Sequence, residues 1–397
     1  MNESRETATP GGLYVLIAGF ALFVTAHTMQ LSVASLIGAQ YAPDKSMATL
    51  PLFTVMLGTA LATVPASMLM KYVTRRVGFM CGSVLAILGG STAVYAVQTE
   101  NFWLFIIGTG LIGMFNAFCQ LYRFAGAELV PPERKGKAIS FVLAGGILGG
   151  LLGPNLERLS RGWFEIDFMG PYVVIACLGF LTMFLMSFLH VGKPPAQLEA
   201  PPQRSLGEIV RQPVFIVAAV SAAVAFGVMA SFMAGSPMII QKFHHSHHQA
   251  TSAISIHTML MYTPALFVAA LITRFGVLNI IGMGILFKTA GFIVLYAGKS
   301  YAHFMGFMIL LALGWSFMFI GGTALATRAF TPAERPKTQA LHDCILFTWV
   351  AVCALSSGWM DHNFGTDALP VAAIGFLLLT TLLILLFRKR VAAAATT

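Results

Sequence analysis

"VPPERKGKA", residues 130–138, and "TPAERPKTQ", residues 331–339, are two versions of one short polar loop. Their Pro-x-Glu-Arg cores begin at Pro131 and Pro332, 201 residues apart, about half of a chain of 397. A loop repeated at that spacing implies that the chain is built twice on one plan, as duplicated transporters are. Each copy would then occupy the same place in its half, after the fourth of six apolar segments.

Working outward from the loops, the rest of the chain is apolar. Hydrophobic residues make up 57% and charged residues 10%, and the mean hydropathy is +0.80. Such values exclude an ordinary soluble domain. Apolar runs long enough to cross a hydrocarbon layer of about 30 Å recur along the whole sequence. Twelve are expected: 13–38, 48–70, 78–98, 102–126, 138–156, 169–191, 213–242, 250–273, 277–298, 301–328, 338–360 and 366–388. The strict alternation of barrel strands is missing, and lipid admits only helices or closed barrels, so the runs are read as helices. The polar start carries no small-residue cleavage site, so the first run is expected to be a retained helix.

The expected fold is therefore an all-α membrane protein of twelve transmembrane helices in two pseudo-symmetric six-helix bundles. Residues 1–191 form the first bundle and 213–397 the second. Between them, "GKPPAQLEAPPQRSLGEIVRQ" at 192–212 reads as a proline-rich cytoplasmic linker. With both termini inside, the inner segments hold seventeen Lys and Arg residues and the outer loops five, namely Lys45, Arg158, Arg161, Lys242 and Lys299. That asymmetry sets the orientation, and it accounts for the net charge of +9 without a nucleic-acid partner. The five cysteines, an odd number at irregular spacing, read as small packing residues within helices.

At this point the sequence resembles the major facilitator superfamily over essentially its whole length. "GGILGGLLGPN" at 145–155 looks like the Gly-Pro motif of that family's proton-coupled antiporters. Gly153-Pro154 either serves the transport cycle or only kinks the helix. The loop "MKYVTRRVG" after the second helix departs from the family pattern, since Arg75 stands where an aspartate is usual.

Soft donors crowd the seventh and eighth helices. Met229 and Met233 are four residues apart and share a helix face; His257 and Met261 do the same on the next helix. At 1.5 Å rise per residue, Met233 and His257 lie about 11–14 Å below the outer surface, and Met229 and Met261 about 17–20 Å. Either motif alone occurs by accident in so methionine-rich a chain; their coincidence at matching depth points to a metal, against a bland alternative of adaptable methionine packing. Three thioethers and an imidazole suit Cu(I), whereas zinc prefers thiolate, more imidazole or carboxylate, and manganese or magnesium prefers oxygen.

The two motifs resemble those of the CcoA-like bacterial copper importers. That resemblance implies copper uptake across the cell inner membrane, for assembly of a haem-copper cytochrome oxidase. It makes copper the substrate rather than a resident cofactor, with copper chaperones on either side as candidate partners beside the lipid.

Further polar groups extend this reading. His244, His245, His247 and His248 are either a solvated outer loop or a copper-capture tract. His27 and Met29 in the first helix are candidates for a secondary path, because the first, fourth, seventh and tenth helices line the cavity in the family. Asn116, Cys119, Gln120 and Arg123 mark a polar face of the fourth helix, with Arg123 a functional group or half of a structural ion pair. His342 and Asp343 form a proton relay or an inner-gate pair. Lys288, in the ninth helix, has no partner visible in the sequence. Two rivals stand beside copper import: a proton-coupled exporter of drugs or siderophores, and a copper sensor or assembly factor that does not transport. No nucleophile, acid/base constellation or phosphate-binding loop suggests an enzyme.

Overall fold

The computed structural model of the chain describes residues 10–131, 134–190, 204–242, 247–331, 334–365 and 367–393. His244 and His245 and most of the linker lie outside these residues, and the side chains of His247 and His248 are not described. Among the described residues every regular element is helical.

The first six apolar runs become α1 (Pro10–Tyr41), α2 (Leu50–Tyr72), α3 (Arg75–Gln98), α4 (Phe102–Gln120) continued by α5 (Tyr122–Glu128), α6 (Lys135–Ser160) and α7 (Met169–Met186). A short α8 (Leu206–Val210) precedes the second set. That set comprises α9 (Pro213–Lys242), α10 (His247–Tyr262), α11 (Ala265–Phe275), α12 (Val277–Ala297), α13 (Tyr301–Ala326), α14 (Arg335–Phe364) and α15 (Ala368–Ala393). Eleven helices among the described residues are long and apolar enough to cross a membrane, and the bent pair of α10 and α11 brings the number to twelve.

Local chemistry sets the ends and breaks. The Asn101 side chain caps α4 by accepting from Leu104 N–H at 3.0 Å, and Thr74 caps α3 by accepting from Val77 N–H. Ser205 and Glu208 form a reciprocal capping box at α8. The run expected as one helix over 250–273 is broken instead, with a 45° bend between Tyr262 and Ala265. Pro264 stands in the gap; it has no N–H to give to the preceding turn, so the helix restarts after it.

Two features position the centre of the molecule. The apolar window of α9 is 83% buried whereas that of α15 is 28% buried, so α9 runs through the core and α15 faces lipid. Leu378, Leu382, Leu385 and Leu386 form its outward apolar surface. The second feature is the glycine run of α6. A Cβ at Gly149 or Gly153 would strike α1, at Val24 and at the Thr25 carbonyl. One at Gly146 or Gly150 would strike α10, at the Tyr262 ring and within 2.9 Å of Met259 N. Glycine thus lets α6 lie in close contact with α1 on one face and α10 on another. Contacts between the first and second sets also run through α2 with α14 and α1 with α9.

Candidate functional site

At the centre of these helices lies a cavity of about 40 Å³, measured as the space open to the centre of a water molecule. At roughly 10–15 Å³ per water that is room for about three. Each of α1, α2, α4, α5, α6, α9, α10, α11, α13 and α14 contributes to its wall, a wider set than the four lining helices expected by family analogy. Seven aromatic rings, Phe20, Phe23, Phe226, Tyr262, Trp315, Phe319 and Phe347, make most of the wall apolar.

All four candidate ligands meet here. Met229 and Met233 reach the cavity from α9, His257 and Met261 from α10, and each side chain is buried. The sequence reading missed Met56 of α2, which also lines the cavity and has no spaced partner to signal it. Among the described residues no group of three or more His, Cys, Asp and Glu is placed to hold a metal.

The imidazole of His257 carries the most specific information. Its Nδ1 lies 2.8 Å from the Met308 carbonyl oxygen on α13. A carbonyl only accepts, so Nδ1 bears the hydrogen and the lone pair of the neutral ring is left on Nε2. Nε2 is buried and has no hydrogen-bond partner among the described residues. A backbone carbonyl that fixes the tautomer through one nitrogen and leaves the other bare is the arrangement that orients metal-ligating histidines.

His27 is arranged the opposite way. It lines the cavity, but its Nδ1 faces the Asn116 amide nitrogen at 3.3 Å, which donates to it, so the bare lone pair is already engaged. Met29 does not join it. Two residues along a helix turn the side chain by about 200°, and Met29 is fully buried among Ala93, Phe105 and Tyr172 on the far side of α1. The pairing of His27 with Met29 as one path is corrected on that ground.

The polar stripe of the fourth span divides. Asn116, Gln120 and Arg123 line the cavity; Cys119 is buried beside Tyr122 and does not. Arg123 Nη2 lies 3.5 Å from Asp343 Oδ2, and Asp343 Oδ1 lies 3.1 Å from His342 Nδ1. The three are buried and join α5 to α14. Lys288 is fully buried and donates from Nζ to the Ala225 carbonyl at 3.0 Å, one turn before Met229. All five cysteines are free thiols.

A latch lies at the basic end of the bundle. Glu334, from the second repeat loop, accepts from the Arg204 guanidinium at 2.7 and 2.9 Å and from Thr331 N–H at 2.9 Å. The Arg204 hydrogen bonds hold the Glu334 carboxyl well below the usual carboxylate range.

The family model described as Major Facilitator Superfamily matches residues 15–261 and 218–397. The chain belongs to that superfamily. As a Major Facilitator Superfamily protein it is a multi-pass membrane transporter, and its relatives agree. The riboflavin transporter RfnT of Brucella anthropi is 32% identical over 367 residues, covering 91% of this chain and 92% of that protein. The uncharacterized MFS-type transporter YddS of Bacillus subtilis is 24% identical over 368 residues, covering 88% and 84%. Among solved structures, the human organic anion transporter MFSD10 superposes with a TM-score of 0.69 at 13% identity, over 95% of this chain and 100% of that one. At that identity the likeness speaks for the superfamily fold alone.

Proposed function

We propose that this superfamily member imports copper as Cu(I) across the bacterial inner membrane by alternating access. The observation that carries the reading is His257: its Nδ1 is tied to the Met308 carbonyl, its Nε2 is buried and unpartnered, and Met229, Met233 and Met261 line the same cavity. Thioethers are neutral and need not lose a proton, so they hold a soft monovalent ion without trapping it. The space for about three waters suits an ion that sheds its hydration for soft donors.

The repeat loops and their basic residues support cytoplasmic termini, with import running towards the end that holds Arg204 and Glu334. The network of Arg123, Asp343 and His342 spans α5 and α14 and is suited to coupling or to gating on that side. Delivery to a haem-copper oxidase rests on the CcoA-like resemblance.

A second reading has its own observation. The seven rings of the cavity wall suit a planar aromatic cargo, and RfnT, a riboflavin transporter by name, covers most of the chain. One experiment separates the two. Cells with and without the gene are given radioactive copper or radioactive riboflavin, and uptake is followed at limiting concentrations of each. Gene-dependent copper flux supports import and rejects a binding-only sensor. Gene-dependent riboflavin flux with unchanged copper content overturns the copper reading.

A further inference from the structure

We propose that Arg123 forms an anion subsite in the same cavity, taking a compact monoanion, halide or carboxylate, that travels with the cargo. The inference deepens the transport reading and stands independently of which cation the methionines hold.

The guanidinium is under-used where it stands. Arg123 lines the cavity, is 4% exposed, and its Nε is buried without a hydrogen-bond partner. Its ionic contact, to Asp343, is 3.5 Å long, whereas a charge-assisted N–H···O bond closes to about 2.7–2.9 Å. Its Cζ lies over two rings, 4.8 Å from the Phe124 centroid and 5.8 Å from that of Phe319. Such cation–ring contacts use no N–H, so they leave the buried Nε hydrogen unsatisfied. One and two turns up the same stripe, Gln120 and Asn116 add amide donors to the cavity wall.

The cavity therefore holds two chemistries. Soft donors come from α9 and α10, and a planar cationic fork with neighbouring amides comes from α4 and α5, all lining the same space. A cation entering this apolar space with its counter-anion brings no net charge, which removes much of the cost of leaving water. Asp343 has somewhere to turn when the anion arrives, because its other oxygen already faces His342 Nδ1 at 3.1 Å. The anion takes the place of Asp343 on Arg123, and the link between α5 and α14 loosens as cargo binds.

The test uses purified full-length protein in detergent, titrated with sodium chloride or sodium acetate at constant ionic strength maintained with sodium sulfate, a dianion outside the proposed class, without copper. Emission of Trp315 reports locally, since its ring stacks on Phe319 at 4.6 Å; Trp315→Phe identifies that signal. Saturable binding is expected for wild type, with half-saturation shifted at least tenfold in Arg123→Gln. Because that variant leaves Asp343 without its cation, Arg123→Gln/Asp343→Asn removes both charges and provides a folded comparison; it too should lose binding. Asp343→Asn alone should bind anion at least threefold more tightly, since a competitor for the guanidinium is gone, an effect a purely structural ion pair does not predict. Saturation by acetate and not chloride assigns the carboxylate of an organic cargo, lost also in Arg123→Lys because the fork is gone; saturation by chloride assigns an inorganic counter-ion. No saturable response to either anion, or wild-type binding in the double variant, overturns the subsite. Loss of copper uptake is not part of this readout, so its outcome is separate from that of the transport experiment above.

Discussion

Replacement of His257 by Leu is the perturbation that bears most directly on the copper reading. The side chain makes one hydrogen bond, from Nδ1 to the Met308 carbonyl at 2.8 Å. Removing a neutral bond of this kind costs about 1 kcal/mol, and the Met308 oxygen keeps its place in the backbone ladder of α13. Folding is therefore expected to weaken by about 1–2 kcal/mol once repacking is included. The effect on the ion is larger. Altering a group that merely orients a ligand costs 10- to 100-fold in metal affinity, so loss of the ligand itself should exceed about 100-fold. Met229→Leu, Met233→Leu and Met261→Leu keep most of the volume and should cost under about 1.5 kcal/mol in stability. The assays are Cu(I) affinity in detergent against a chromogenic chelator, and cellular copper normalised to folded protein in the membrane. Met29→Leu is the control, because Met29 is equally buried but packs away from the cavity. Wild-type copper content in His257→Leu at scarce copper would refute the reasoning and the metal assignment with it.

Three further outcomes follow from other parts of the molecule. Replacing His244, His245, His247 and His248 with Ser should slow uptake mainly at scarce copper; equal loss at every concentration would reject a capture role. Gly150→Leu places side-chain carbons where a Cβ already lies 2.9 Å from Met259 N, so it should push α10 away and abolish Cu(I) binding, whereas Gly162→Leu, with open space around it, should not. The latch between Arg204 and Glu334 should hold near neutral pH. Glu334 has a depressed folded pKa, so its contribution is fully present above the ordinary value of 4.5 and is lost progressively as pH falls from there through the much lower folded value. Thermal stability should fall progressively with acid below that pH in wild type, and this part of the pH dependence should be missing in Glu334→Gln.

The helices were legible because membrane solvation writes itself into composition: ten of the twelve expected runs are single helices with ends moved by a few residues, and the fourth and eighth are each divided in two. The break at Pro264 was also written there, but the hydropathy of 250–273 hides it, since a proline in an apolar run costs little hydropathy. The split of the fourth span after Gln120 has no comparable signal. At the site, the four residues of the two spaced motifs line one cavity, as two shared helix faces allow. Their controlling partner was invisible, because Met308 lies 51 residues from His257 and contributes only a backbone oxygen. Lys288 is the same case: its acceptor is the Ala225 carbonyl, and no side-chain pattern announces a carbonyl. Met29 shares its depth and its helix with His27, but a turn of about 200° puts it in a separate cluster with Phe105 and Tyr172, which depth alone does not reveal.

Lys288 then decides what kind of cation this cavity can hold. The amine is fully buried, bonds to the turn that precedes Met229, and lies within electrostatic reach of His257. Arg123 lines the cavity, and among the described residues no carboxylate does. A hard cation depends on charge attraction, and the carboxylate nearest this lining, Asp343, is already turned to Arg123. A soft ion depends on directed bonds to sulfur and imidazole, and those survive an unfavourable field. The field still costs affinity. Two unit charges about 10 Å apart at an effective dielectric of about 20 repel by about 1.7 kcal/mol. Lys288→Met keeps the length of the side chain and removes the charge, so it should tighten Cu(I) binding in detergent by on the order of tenfold. The same variant should leave sodium and potassium unbound, since it adds no oxygen donor. An unchanged or weaker Cu(I) affinity in Lys288→Met would show that the amine does not oppose the ion, and the selectivity argument built on it would fail.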